Sequence, residues 1–137
     1  MFRINRYMPK ISTEILIVDD SEEMLRTMAN VLEKAGLSVD AVTNGKDAME
    51  FMRCYPQTQV VILNYLLPDM SGLSVLDHIK QNGDYPKVVV VTAYGTEEIR
   101  KKFFNGGAWA FLDKPFDINK LITVCKQAMT DSMATCP

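Results

Sequence analysis

This 137-residue chain lacks several features that would place it in a class at once. It has no cysteine framework: Cys54, Cys125 and Cys136 are odd in number and scattered, which argues against a disulfide scaffold and against a zinc cluster. It has no excess of one charge. With 23% charged residues and a formal net charge of −2, a basic surface for nucleic acid or anionic lipid is not indicated. It has no long hydrophobic run either. The opening MFRINRYMPKIS carries two arginines but not the apolar segment of a secretory signal, and no stretch approaches the roughly 20 apolar residues of a spanning helix. Repeats, low-complexity tracts and an internal linker are also missing. The expectation is a cytoplasmic protein of one domain, long enough to build a core without staples. Its partner should be a protein or a small ligand, with no direct contact to nucleic acid and none to membrane.

Three short apolar runs are present: EILIVDD (14–20), QVVILNY (59–65) and KVVVVTA (87–93). They are rich in Val and Ile and continuous rather than alternating, the pattern of parallel strands covered on both faces. LSVDAVT (37–43) and WAFLDKP (109–115) are weaker candidates that complete a set of five. Helical patterns fall between them. Residues 21–35 carry Leu25, Met28, Val31, Leu32 and Ala35 at helical spacing, with Gly36 as a stop. Asn44 and Asp47 cap a second helix bearing Ala48, Phe51 and Met52. Leu73, Leu76 and Ile79 mark a third, closed by Gly83 and Pro86. Thr96 begins a fourth, ended by Gly106 and Gly107, and Asp117 begins a fifth with Ile118, Leu121, Ile122, Cys125 and Met129 as its stripe. Five β-α units in succession imply right-handed crossovers and one sheet sandwiched between helices. The predicted boundaries are an extension at 1–13, a domain at 14–129 and a flexible polar tail at 130–137, with no room for an output domain.

In a parallel sheet every strand C-terminus lies at one edge, where ligands of open α/β folds bind. That edge is expected to gather Asp19 and Asp20 after the first strand, Asn64 after the third, Thr92 after the fourth and Lys114 with Pro115 after the fifth. Each has a local explanation: Asp20 as an N-cap paired with Glu23, Thr92 as a β-branched strand residue, Lys114 as a solvated charge, Asn64 as a turn residue before Pro68. Jointly they match the needs of phosphoryl chemistry. Two acids and a backbone carbonyl suffice for Mg²⁺, and a hydroxyl and an ammonium can hold the remaining phosphoryl oxygens.

In ILIVDD (15–20), LNYLLPDMSG (63–72), VVTA (90–93) and AFLDKPF (110–116), the chain resembles the receiver domain of bacterial response regulators. The resemblance implies a flavodoxin-like (βα)5 three-layer sandwich, α/β in class, with a parallel five-stranded sheet of order 2-1-3-4-5. It also implies a role in a two-component phosphorelay, with a histidine kinase or phosphotransfer protein upstream and a downstream protein target. By position, Asp19 and Asp20 resemble the Mg²⁺-binding acids, and the backbone carbonyl of Leu66 the third ligand. Thr92 resembles the switch hydroxyl, Lys114 the phosphoryl-contacting lysine joined to Pro115 by a cis peptide, and Phe111 the rotating aromatic.

Asn64, four residues before Pro68, falls at the place of the phosphoacceptor aspartate. An amide oxygen is neutral and does not attack a phosphoryl donor as a carboxylate does. Aspartyl phosphate formation is therefore predicted to be absent, and Mg²⁺ affinity weakened. A natural pseudo-receiver and an Asp-to-Asn variant both remain open as origins. Leu63, Tyr65 and Asp69 are not expected to take over as acceptor, and His78 reads as an exposed polar residue. Trp109, after Gly107 and Ala108, is a candidate partner-contact anchor. Two other classes fit the residues less well. A flavodoxin-like cofactor protein would need a phosphate-cradling loop where DDSEEM stands, and a Mg²⁺-dependent phosphohydrolase would need a cap segment.

Overall fold

The computed structural model describes residues 13–83 and 86–134. The elements follow in strict alternation: β1 (Ile15–Val18), α1 (Glu22–Lys34), β2 (Val39–Val42), α2 (Gly45–Cys54), β3 (Val60–Leu63), α3 (Gly72–Gln81), β4 (Lys87–Thr92), α4 (Glu97–Asn105), β5 (Ala110–Asp113) and α5 (Ile118–Ala134). All strand pairs are parallel, in the order β2-β1-β3-β4-β5. This is the flavodoxin-like sheet expected from the sequence.

The continuous apolar runs are explained by the two layers they serve. Successive side chains on a strand point to opposite faces. Ile15, Ile17, Val60, Ile62, Val89 and Val91 join Leu25, Met28, Leu32, Leu121 and Cys125 in a cluster under α1 and α5. Leu16, Val18, Val61, Leu63, Val88 and Val90 join Phe51, Val75, Leu76, Ile79 and Phe103 under α2, α3 and α4. Cys125 is buried as its place on the stripe requires, and burial pushes its thiol up to about 12.

Helix starts follow the caps that the sequence offers, with one correction. Asn44 Oδ1 accepts from the Asp47 amide at 2.8 Å while Asn44 Nδ2 donates to Asp47 Oδ2 at 3.0 Å. Thr96 Oγ1 accepts from the Ile99 amide and Asp117 Oδ1 from the Asn119 amide. At α1, however, the N-cap is Ser21, whose Oγ accepts from the Met24 amide at 3.2 Å. Asp20 lies one residue too early to reach that donor, which leaves its exposed carboxylate free of capping duty. Gly36 and Gly83, with φ of 91° and 114°, turn the chain after α1 and α3 in the left-handed region that side chains avoid.

A second correction concerns the tail. Helix α5 runs to Ala134, beyond the boundary set at 129, because Thr130 to Ala134 contain neither Gly nor Pro to stop it. Residues 135–137 and the extension up to residue 12 lie outside the described residues. No helix among the described residues is long and apolar enough to cross a membrane.

Candidate functional site

Three of the polar residues sit in the turns just past a strand end, and the fourth, Thr92, is the last residue of its strand. Asp19 follows Val18, Asn64 follows Leu63, Thr92 closes β4 and Lys114 follows Asp113. Since β1, β3, β4 and β5 are successive neighbours in the sheet, the four tips form one row at its C-terminal edge. The backbone fixes the row: the Asn64 amide donates to the Val18 carbonyl at 3.0 Å, and the Lys114 amide to the Thr92 carbonyl at 2.8 Å.

The strongest electrostatic contact in the row joins β1 to β5. Lys114 Nζ donates to Asp19 Oδ2 at 2.8 Å, with side-chain exposures of 16% and 3%. The other carboxylate oxygen of Asp19 accepts from the Ser21 amide at 3.0 Å. Asp19 is thus held from two sides, by an ammonium and by the backbone entering α1. The Lys114–Pro115 peptide is cis.

Asn64 is half-buried and turned toward its own loop. Its Nδ2 donates to the backbone carbonyl of Leu66 at 2.9 Å. A carbonyl oxygen has no proton to give, so the atom facing it must be the amide nitrogen. The loop beyond closes on itself: Leu66 and Ser71 form an antiparallel bridge, and the Gly72 amide donates to the Tyr65 carbonyl at 2.6 Å. A Cβ at Gly72 would overlap the Asn64 carbonyl oxygen, so only glycine allows this return.

Thr92 is fully buried, and its Oγ1 accepts from the Tyr94 amide at 3.1 Å. Phe111, 7% exposed, points inward against Phe103 at 5.9 Å between ring centres and Phe104 at 6.4 Å. The Arg100 guanidinium lies 5.7 Å from the Phe111 ring centre and 5.1 Å from that of Phe104, within cation–π range.

Two residues matter more than the sequence suggested. Asp69 looks like a solvated loop acid, yet its two carboxylate oxygens accept from the Gly45 and Lys46 amides, both at 2.9 Å. It therefore ties the β3–α3 loop to the N-terminus of α2. Those two backbone donors, Gly45 first, hold its carboxyl below the usual range. Gly95 is the other: a Cβ there would lie 2.8 Å from Phe111 Cε1 and collide with the Asp113 carboxylate. Neither role is visible without the third dimension. Trp109, conversely, is half-buried and packs against the α1/α5 cluster, so part of its ring is committed to the fold.

Asp19, Asp20 and the Leu66 carbonyl are hard oxygens of the kind Mg²⁺ takes, with part of their capacity already used within the chain. Asp19 is engaged on both oxygens, the Leu66 carbonyl is capped by Asn64, and Asp20 is the carboxylate left facing solvent. Among the described residues no three His, Cys, Asp or Glu side chains gather so as to hold a metal ion.

Comparison with known proteins agrees with this architecture. Residues 15–126 match the family model described as the response regulator receiver domain. The chain is 28% identical over 125 residues to the transcriptional regulatory protein SrrA of Staphylococcus aureus, covering 91% of this chain and 51% of that one. It is 28% identical over 116 residues to an NtrX-like response regulator of Rickettsia bellii, covering 84% and 24%. The chain thus spans about half of the first relative's length and about a quarter of the second's. Among solved structures, a CheY-like receiver domain from Methanospirillum hungatei superposes with a TM-score of 0.86 at 24% identity, over 91% of this chain and 99% of that one. Receiver domains of this kind are signalling modules rather than enzymes; they interact with histidine kinases and effector domains and usually bind Mg²⁺ at their acidic site. With the matched model covering most of its length, the chain belongs to the response regulator receiver domain family.

Proposed function

We propose that this receiver domain serves its two-component system as a binding module that forms no aspartyl phosphate, because Asn64 stands where the family carries its phosphoacceptor. One observation carries this reading: at the tip of β3, beside the Asp19–Lys114 pair, position 64 presents an amide that donates a hydrogen bond. A nucleophile there would have to be an anion with a lone pair to offer.

In this reading Asp19, Asp20 and the Leu66 carbonyl are the groups that would face Mg²⁺, with affinity weakened by the lost negative charge. Thr92 and Lys114 are the phosphoryl-contacting pair left without a phosphoryl group, and Phe111 is the aromatic that would report it. A histidine kinase or phosphotransfer protein lies upstream and a protein target downstream, with Trp109 offered as a contact for that target. A net charge of −2 supports an output through protein rather than direct contact with nucleic acid. Free thiols at Cys54 and Cys125 support a cytoplasmic setting. The two other classes gain nothing: Glu22 and Glu23 in the first turn of α1 oppose a phosphate-binding cofactor loop there, and the family match favours neither.

The test is intact-mass measurement after incubation with Mg²⁺ and a small acyl phosphate donor, on this chain and on Asn64→Asp. A gain of one phosphoryl group in the aspartate variant alone is expected. Phosphorylation of the unaltered chain would overturn the reading.

A further inference from the structure

The loop from Asn64 to Gly72 meets a problem of charge at its first turn. The side chain at 64 and the carbonyl of Leu66 face each other at hydrogen-bonding distance. A carboxylate at 64 would set two acceptors against one another with no proton between them, an arrangement that holds only when a cation or a water bridges it and that a bound Mg²⁺ would fix most firmly. The amide removes that need by supplying the proton itself. We infer that the Asn64 amide takes the place of the bridging cation, so that the β3–α3 loop holds its conformation without metal and without a phosphoryl group.

Three further contacts keep the loop in the geometry this bond requires. The Leu66–Ser71 bridge and the Gly72-to-Tyr65 hydrogen bond close its neck, and Asp69 fastens its far side to α2. At the same edge, Lys114 already neutralises Asp19. The buried charge of the row is thus satisfied from within the chain while Asp20 stays in solvent, and the loop offers a partner one fixed surface whatever the Mg²⁺ concentration. This inference rests on the functional reading above but predicts a separate observable.

The test is amide hydrogen exchange at Tyr65, Leu66, Leu67 and Gly72 in the full chain, in chelator and in excess Mg²⁺, for the unaltered protein, Asn64→Asp and Asn64→Ala. Exchange in the unaltered chain should be the same in both conditions. In Asn64→Asp it should be faster in chelator and slow by about threefold to tenfold when Mg²⁺ is added, the factor that one hydrogen bond carries. In Asn64→Ala it should be fast in both. Slowing of the unaltered chain by Mg²⁺ overturns the inference without recourse to any variant, as does an Asn64→Ala loop protected like the original. Phosphorylation of the unaltered chain would instead overturn the functional reading, and the comparison with Asn64→Ala would still judge the loop.

Discussion

Lys114 and Asp19, 95 residues apart in sequence, meet at 2.8 Å with the carboxylate almost wholly buried. The pair joins the tip of the interior strand β1 to that of the edge strand β5, across β3 and β4. Such a bond is worth little as a net gain, since both charges lose water, but breaking it from one side strands the other.

Lys114→Ala should therefore destabilise the fold by about 3 kcal/mol in urea denaturation, because Asp19 is left charged and unpaired. Adding Asp19→Asn should restore much of the loss. If the double variant is no more stable than Lys114→Ala, the pair does not contribute in this way.

The adjacent rings Phe103 and Phe104 should behave differently. Phe103 is fully buried and Phe104 is 38% exposed, so Phe103→Ala should cost about 3–5 kcal/mol and Phe104→Ala well under half of that. Equal losses would show that the Arg100 contact holds Phe104 as firmly as the core holds Phe103.

Asp69 should make the β3–α3 loop sensitive to acid. The Gly45 and Lys46 amides favour its charged form and lower its pKa, so its tether contributes fully above the unfolded carboxyl value of about 3.9. That contribution is lost as pH falls through the depressed folded value. The Gly45 and Lys46 amide resonances should move together with pH in this acid range. In Asp69→Asn their titration should vanish; persistence of the same curve would assign it to another group.

Trp109→Ala should lower affinity for a protein target by more than Trp109→Phe does, if the exposed part of the ring is the contact proposed above. Binding followed by calorimetry, alongside denaturation of each variant, separates the two roles. Lost stability with unchanged affinity would confine Trp109 to the α1/α5 cluster.

The strands were legible because each layer demands apolar side chains on both faces of an interior strand; ILIV, VVIL and VVVV admit few other readings, whereas their order came from the resemblance to receiver domains. Asp19, Asn64, Thr92 and Lys114 were legible as a row for the same reason, since parallel strands end together. What stayed hidden depends on reach rather than pattern. Ser21 and Asp20 are both capping types, and only the φ, ψ path decides which one meets the Met24 amide. Asp69 grips α2 across 24 residues of chain, a partnership with no local trace. The helical extent past Met129 was missed because a polar run without Gly or Pro fits helix and tail alike.

Gly95 leaves the gap in which the Phe111 ring and the Asp113 carboxylate lie side by side. A single methyl there would evict one neighbour or both, and the carboxylate, being the flexible end of an exposed side chain, can swing aside while the ring has to travel. Position 95 is in effect a doorstop for the aromatic, set apart from the acidic row and open to being wedged without altering any charge.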